Sequence, residues 1–228
     1  MNGKTLKSAI SDTLPVMTGY LFLGFGFGII LQQNGYGVLW AMAMSLFIYA
    51  GSMQYVGVGL LTGGVSLVTA ALTTLMVNAR HLFYGISMID AYQDAGKRKP
   101  YLIFALTDET YSLVCRKQPE REDWVGYCFW VSALDQCYWV AGSVLGALAG
   151  KLPLDFTGID FALTALFVTI FVEQWLSTKE HLPALVGVGA ALICLVIFGP
   201  DRFLIPTMIL IAATLMLLPK GRKEAGHG

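Results

Sequence analysis

Long apolar stretches cover most of this 228-residue chain and leave no segment between them that is large enough for a soluble domain. Hydrophobic residues make up 56% of the sequence and charged residues only 13%. Soluble domains carry charged residues at about 25% of their positions. This balance predicts an all-α integral membrane protein in which residues 1–228 form a single polytopic membrane domain.

Eight segments are candidates for crossing or entering the membrane, since a helix spans about 30 Å of hydrocarbon with about 20 residues. Two of them are irregular: Gly51 and Ser52 interrupt the second, and Asp108-Glu109 lies in the middle of the short fourth. We therefore expect a polytopic bundle of about eight membrane segments, some of them broken or re-entrant. The segments are Leu14–Leu31, Val38–Leu61, Val65–Ile89, Tyr101–Cys115, Val125–Gly150, Phe156–Leu176, Pro183–Phe198 and Phe203–Leu218.

Basic residues near both ends of the chain favour a cytoplasmic position for both termini. The fourth segment has basic clusters on both sides, which conflicts with this rule if the segment spans and agrees with it if the segment is re-entrant. The first apolar run has no small-residue cleavage site, so we expect an uncleaved first span. The basic residues concerned are Lys4, Lys7, Lys97, Arg98, Lys99, Arg116, Lys117, Arg121, Lys220, Arg222 and Lys223.

A faint internal repeat relates the two halves of the chain. Ser45-Leu46-Phe47-Ile48…Gln54-Tyr55 resembles Ala165-Leu166-Phe167-Val168…Gln174-Trp175. A true repeat would fit the repeat-built architecture of secondary transporters. The alternative is coincidence, because apolar sequences match one another easily.

A polar cluster interrupts the second segment, where the sequence reads Tyr49-Ala50-Gly51-Ser52-Met53-Gln54-Tyr55. Gly51 and Ser52 permit a kink or an unwound turn that frees backbone groups. A half-helix beginning near Ser52 would present N–H groups and a positive dipole to a carboxylate. The alternative is a close helix crossing built on small residues. We predict substrate-binding roles for Gly51, Ser52 and Gln54.

A second cluster, Asn78-Ala79-Arg80-His81, lies more than halfway along the third segment. Ionisable side chains are costly in lipid and usually face the bundle interior. Arg80 can bind a carboxylate with two parallel hydrogen bonds, either that of a substrate or that of Asp108 or Glu109. We predict substrate binding by Asn78 and Arg80, and proton exchange by His81 near neutral pH. The alternatives are that Arg80 snorkels to the interface and that His81 is a satisfied core residue.

Three acidic residues are further candidates for proton coupling: Asp108, Glu109 and Asp135. Adjacent carboxylates point about 100° apart on a helix, so the first two need different partners. One can pair with Arg80 while the other titrates, since burial favours the neutral acid. Alternatively, this pair lies at the interface in a segment that never enters the membrane. Asp135 shares a helix face with Ser132, Trp139, Gly142 and Gly146. The two glycines on this face predict close helix packing.

Several chemistries have no motif in the sequence. HExxH, Walker A and GxSxG patterns and spaced metal-ligand sets are missing, so we expect no cofactor, no metal and no enzymatic activity. The zero net charge without a basic stripe argues against a nucleic-acid partner. We expect the four cysteines to act as small buried hydrophobic residues; they are Cys115, Cys128, Cys137 and Cys194.

The motifs follow a fixed order along the chain: Tyr-Ala-Gly-Ser-x-Gln-aromatic at 49–55, Asn-x-Arg-His at 78–81 and Thr-Asp-Glu-x-Tyr at 107–111. Trp139-Val140-Ala141-Gly142 with Gly146, and Gly158-Ile159-Asp160-Phe161-Ala162, follow them. This order resembles that of the AzlC family of branched-chain amino acid permeases, over nearly the whole chain. Ala79 departs from the family, in which leucine is commoner there, and Glu173-Gln174-Trp175 has no place in its pattern.

The resemblance implies the large subunit of a two-component exporter of leucine, isoleucine, valine and sometimes methionine. It also implies proton-motive-force driving, a small AzlD-type membrane partner and a prokaryotic inner membrane. For such a substrate we assign the carboxylate to N–H groups near Gly51-Ser52 with Arg80 and Asn78. We assign the ammonium to Asp108 or Glu109, helped by Gln54. The alternatives are a scaffold subunit whose partner forms the pathway, and a channel for a small solute.

Overall fold

The computed structural model describes residues 3–115, 123–154, 156, 158, 161–177, 181–199 and 203–217. The described residues are 83% helical and contain no strand, which confirms the all-α prediction. The α-helices in chain order are α1 (Gly3–Gln33), α2 (Val38–Phe47), α3 (Gly51–Thr62), α4 (Leu67–Val77), α5 (Ala79–Ser87), α6 (Lys99–Phe104), α7 (Asp108–Val114), α8 (Trp124–Ala149), α9 (Phe161–Ser177), α10 (Leu182–Phe198) and α11 (Leu204–Leu217). A 3-10 helix, Gln93–Arg98, precedes α6.

The chain forms two compact units, Met1–Leu166 and Phe167–Gly228. In the first unit, α1 and α8 pack along each other and the shorter helices α2, α3, α6 and α7 pack around them. In the second unit, α10 packs against α11. The expectation of one transport domain over residues 1–228 stays a prediction.

Among the described helices, α1 alone is long and apolar enough to cross a membrane by itself. Three further apolar helices, α2, α4 and α10, are shorter. The expected second, third and fourth segments are each divided into two helices, α2 and α3, α4 and α5, and α6 and α7. These helix breaks agree with the expectation that some segments are broken, whereas the number of about eight membrane segments stays a prediction.

The break in the second segment lies just before Gly51, where the sequence predicted it. Tyr49 adopts a φ of 44°, and Ala50 is extended, with φ −135° and ψ 90°. A left-handed conformation costs a residue with a side chain about 1–2 kcal/mol. The Tyr49 ring is only 3% exposed and lies 6.2 Å from that of Phe104, so packing of the ring holds the strained backbone.

Polar side chains determine where several helices begin. Ser66 accepts a hydrogen bond from the Thr69 N–H at the start of α4, and the Thr107 hydroxyl caps α7 in the same way. At the start of α8, the Asp123 carboxylate accepts from the Gly126 N–H at 2.9 Å. Each cap satisfies a donor that the first helical turn leaves without an intrahelical partner.

Glycines allow α1 and α8 to approach at backbone distance. A methyl group at Gly24 would lie 2.9 Å from the Trp139 carbonyl oxygen, and one at Gly142 would lie 2.8 Å from the Leu21 carbonyl oxygen. The predicted packing role of the fifth-segment glycines is confirmed by this interlock. The predicted face of α8 is also confirmed, because all its members are buried: Ser132, Asp135, Trp139, Gly142 and Gly146.

The proposed internal repeat is not matched by the backbone. The first copy breaks after Phe47, whereas α9 runs without interruption from Phe161 to Ser177 through the second copy. Lys4 and Lys7 are exposed within the first turns of α1. Other residues used to predict topology or motifs lie outside the described residues: Arg116, Lys117, Arg121, Ile159, Asp160, Lys220, Arg222 and Lys223.

Candidate functional site

An ion pair joins two of the three polar clusters. Arg80 Nη1 lies 2.6 Å from Asp108 Oδ2, and the other terminal nitrogen, Nη2, donates to the Ser52 hydroxyl at 2.8 Å. The guanidinium therefore connects α5 to both α3 and α7. The Arg80 and Asp108 side chains are 31% and 27% exposed, so the pair is neither sealed in the core nor on an open surface.

Each member of this contact lies at the beginning of a helix. Arg80 is the second residue of α5, Ser52 is the second residue of α3, and Asp108 is the first residue of α7. Backbone N–H groups in the first turn of any helix have no intrahelical acceptor. In α3 and α5 no capping side chain accepts from them either. The starts of three helices, α3, α5 and α7, thus lie together around one ion pair.

Three polar atoms around this pair are buried and make no hydrogen bond with the described residues: Asn78 Oδ1, Arg80 Nε and Asp108 Oδ1. Asn78 itself is the irregular residue between α4 and α5, with φ −94° and ψ 4°. A buried polar atom without a partner costs about 1–3 kcal/mol. The site therefore retains both donor and acceptor capacity for a polar ligand.

His81 lies beside this site with a local partner. Its Nδ1 is 3.3 Å from the Asn78 carbonyl oxygen, and its ring meets that of Tyr84 edge-on at 5.9 Å. Tyr84 in turn stacks on Tyr111 of α7 at 4.4 Å. This aromatic contact ties α5 to α7 next to the ion pair.

Glu109 belongs to a second hydrogen-bonded group, which involves α1. The Tyr20 hydroxyl donates to Glu109 Oε2 at 2.6 Å and lies 2.6 Å from the Thr107 hydroxyl. Thr107 donates to the Thr110 hydroxyl at 3.1 Å. Thr110 donates to Asp135 Oδ2 at 2.8 Å. Adjacent carboxylates thus do have different partners, as predicted: Asp108 faces Arg80 and Glu109 faces Tyr20.

Gln54 lies in a third group, away from the ion pair's contacts. Its amide nitrogen donates to Ser45 at 3.2 Å and its amide oxygen accepts from the Trp139 indole at 2.8 Å. The Ser45 hydroxyl continues to Ser143 at 2.9 Å. Gln54 is completely buried, and both ends of its amide are engaged. The structure therefore places it in the packing of α2, α3 and α8, and not with Arg80.

Gly51 also contributes to packing. A methyl group there would lie 2.9 Å from the far edge of the Trp139 ring. The alternative of a close crossing built on small residues therefore describes Gly51, while Ser52 takes part in the polar contact with Arg80. One short motif thus serves both purposes, because adjacent residues point about 100° apart on a helix.

Two features of the site were absent from the sequence predictions. Tyr20 lies in an apolar helix, and no local pattern separates it from the other aromatic residues there. Thr107 and Thr110 belong to a motif that the sequence analysis identified, but only their contacts with Tyr20 and Asp135 reveal a shared arrangement.

No group of three or more His, Cys, Asp or Glu residues within the described part of the chain is arranged to hold a metal ion. No disulfide joins the four cysteines, all of which are among the described residues. Cys128 and Cys194 are buried as predicted, whereas Cys115 and Cys137 are exposed, which corrects the prediction for those two.

Comparison with known proteins gives a consistent assignment. The family model described as AzlC protein matches residues 15–152. The branched-chain amino acid transport protein AzlC of Bacillus subtilis (strain 168) is 42% identical over 221 residues, which cover 96% of this chain and 87% of that protein. The inner membrane protein YgaZ of Escherichia coli (strain K12) is 33% identical over 224 residues, covering 90% of this chain and 85% of that protein.

A membrane protein of Haemophilus influenzae is 43% identical over 206 residues, covering 89% of this chain and 84% of that protein. No solved structure matches the chain. The family match covers more than half of the sequence and includes the Arg80–Asp108 ion pair, Ser52 and Asp135. The chain therefore belongs to the AzlC family.

Proposed function

We propose that this chain is the large subunit of a proton-driven secondary transporter that exports branched-chain amino acids across a prokaryotic inner membrane. Family membership supports a role in transport, and the Bacillus relative is named for branched-chain amino acids. The observation that carries the proposal is the Arg80–Asp108 pair, at 2.6 Å, with Ser52 on the second guanidinium nitrogen.

The pair has the charge pattern that a zwitterion needs. A free amino acid carries one carboxylate and one ammonium, and Arg80 with Asp108 offers the opposite charge to each. Arg80 can bind a carboxylate through two nitrogens, assisted by the uncapped start of α3. Asp108, with Glu109 next to it, can accept the ammonium. Insertion of substrate exchanges one ion pair for two, so no charge is left unpaired.

Asn78 fits the same site through its unpaired buried oxygen. That atom can accept from an ammonium, while the amide nitrogen can donate to a carboxylate. We do not include Gln54 in the proposed site, because its amide is already hydrogen-bonded to Ser45 and Trp139. Proton coupling is proposed for Asp108, Glu109, His81 and Asp135, and the small AzlD-type subunit is proposed as partner.

Membrane arrangement remains part of the proposal. We propose a multi-pass chain with about eight membrane segments, of which three are broken, and both termini cytoplasmic. Discontinuous helices whose ends meet near the middle of the bundle are a recurrent design of secondary transporters.

The test is export of labelled leucine by proteoliposomes that contain the chain with its small partner under an imposed proton gradient. We expect Arg80→Ala and Asp108→Asn to abolish export while membrane insertion is retained. Arg98→Ala and Asp90→Asn are matched controls, because Arg98 stacks on Phe129 and Asp90 accepts from the exposed Gln93. Export at the wild-type rate by both site variants would refute the proposal. Leucine binding by the partner alone would instead identify this chain as a scaffold.

A further inference from the structure

An unbroken chain of hydrogen-bonded oxygens connects two carboxylates on different helices. From Glu109 the chain passes to the Tyr20 hydroxyl at 2.6 Å and then to the Thr107 hydroxyl at 2.6 Å. It continues to Thr110 at 3.1 Å and ends on Asp135 Oδ2 at 2.8 Å. Three of the four steps lie within the ordinary range for O–H···O hydrogen bonds, and the Thr107–Thr110 step is slightly longer, at 3.1 Å.

The hydrogen-bonded groups that follow Glu109, from Tyr20 to Asp135, are closed to solvent. Thr110 and Asp135 are 0% exposed, and Tyr20 and Thr107 are 5% and 6% exposed. The second carboxylate oxygen of Asp135 is buried and makes no hydrogen bond with the described residues. A proton on Asp135 therefore has a hydrogen-bonded route out through Thr110, while the other Asp135 oxygen makes no hydrogen bond with the described residues.

We propose that Tyr20, Thr107 and Thr110 form a proton-transfer chain between Asp135 and Glu109. Hydroxyl groups suit this role because each can accept one proton while donating another. The coupling of this transfer to amino acid export rests on the proposed function, whereas the transfer itself does not.

The transfer balances at each oxygen. When Glu109 is a carboxylic acid, the Tyr20 hydroxyl accepts from it and points its own proton to Thr107 instead of to Glu109. The Glu109 acid then gives its proton to the Tyr20 oxygen, and the Tyr20 proton passes to Thr107. Thr107 then gives its proton to Thr110, whose own proton passes to Asp135 Oδ2. Glu109 ends as a carboxylate, Asp135 ends as a carboxylic acid, and each hydroxyl ends with one proton. The reverse sequence returns the proton to Glu109.

The two carboxylates at the ends of the proton-transfer chain have different surroundings. Glu109 has Asp108 and Arg80 as its charged neighbours, so it lies next to the proposed amino acid site. Asp135 has Tyr49, Tyr101 and Glu109 as the titratable groups around it. With Glu109 ionised, the charges of Arg80, Asp108 and Glu109 sum to −1, which favours an ammonium group. Transfer of a proton from Asp135 to Glu109 removes that excess charge and favours release.

The alternative is that these hydroxyls only hold α1, α7 and α8 together. That role would be sensitive to lost hydrogen bonds but would not involve proton movement. A readout of proton transfer therefore separates the two roles.

The first measurement is the rate at which the Asp135 carboxylic acid exchanges its proton for deuterium in the purified full-length protein. Infrared spectroscopy at acidic pH follows its C=O stretching band, which is identified by its loss in Asp135→Asn. We expect Thr110→Val and Tyr20→Phe to slow this exchange about a hundredfold, the scale of a lost positioned proton-transfer group. Thr110→Ser should retain the wild-type rate.

Thr74→Val is the matched control. It removes a threonine hydroxyl that bonds only to the Ala70 carbonyl of its own helix, at 2.7 Å, and lies at an exposed position. Exchange should be unchanged in this variant. If Thr110→Val fails to fold, Tyr20→Phe and Thr110→Ser still decide the question. Wild-type exchange rates in correctly folded Thr110→Val or Tyr20→Phe, or the absence of a protonated Asp135 band at any pH, would overturn the proposal.

The second measurement tests coupling to transport. Proton release and leucine flux are followed together in proteoliposomes. We expect Thr110→Val to lower the proton flux per leucine, while leucine–leucine exchange, which moves no net proton, continues. Slowed deuterium exchange in a protein that never transports leucine would reject the proposed function and keep the proton-transfer chain. Normal proton-coupled export by Thr110→Val would reject the chain and keep the function.

Discussion

Replacing glycine by alanine in α1 and α8 gives a quantitative prediction. We expect opposite effects on stability at a glycine in the close helix contact and at a glycine outside it. At Gly146, an alanine methyl would lie 2.7 Å from the Phe25 carbonyl carbon and 2.8 Å from the Phe25 Cα, and would collide with the Phe25 carbonyl oxygen. At Gly19, on α1, a methyl group would meet no atom within 4 Å. Gly146→Ala should therefore destabilise the protein and Gly19→Ala should stabilise it.

The magnitude follows from two opposing effects. Overpacking against backbone costs about 1–3 kcal/mol, because no side-chain rotation can relieve it and the helices must separate. Alanine recovers up to about 1 kcal/mol over glycine within a helix. The net change for Gly146→Ala is a loss of about 1–2 kcal/mol, and Gly19→Ala gains about 0.5–1 kcal/mol.

Thermal unfolding in detergent at fixed lipid and detergent concentration is the suitable assay. For a chain of this size, each kcal/mol shifts the midpoint by about 2–4 °C. Gly146→Ala should fall by about 2–8 °C and Gly19→Ala should rise by about 1–4 °C. Equal midpoints for the two variants, or a higher midpoint for Gly146→Ala, would refute the close backbone contact between α1 and α8.

Two further substitutions test polar contacts in the same unit. Gln54→Leu should destabilise the fold by about 1–3 kcal/mol, because the Trp139 indole and the Ser45 hydroxyl each lose a buried partner; unfolding at the wild-type midpoint would contradict this. Asp123→Ala should cost about 1 kcal/mol by leaving the Gly126 N–H uncapped. Asp123→Asn, which keeps an oxygen at the cap, is its control, and equal losses in both variants would exclude the capping role.

Local sequence patterns were enough to anticipate the break before Gly51 and to name the ion pair among the alternatives, whereas the break at Asn78 in the third segment was not predicted. Glycine and serine within an apolar segment weaken a helix, and the chain does break immediately before Gly51. An arginine and an acidic pair in apolar surroundings each need a counter-charge, so the Arg80–Asp108 contact was one of the pairings expected. These are statements about what a residue cannot do alone, and they hold without knowledge of the fold.

Contacts between distant parts of the chain were beyond the sequence. Gln54 was expected near the substrate because it is polar and near Ser52, but two residues on a helix point about 200° apart, which directs Gln54 towards Trp139. Tyr20 carries no local signal, since its partners Thr107 and Glu109 lie almost ninety residues away. Such roles depend on which helices pack together, and helical periodicity does not determine that.

The strained Tyr49 has a mechanical consequence. A glycine at a φ of 44° could adopt several other conformations at similar energy, and a junction built on it would bend in many directions. Tyr49 can leave this conformation only by withdrawing a buried ring from beside Phe104. The angle between α2 and α3 is therefore fixed. A movement of α3 is transmitted to α2, so that Ser52 and the surface of α2 move together as one rigid body.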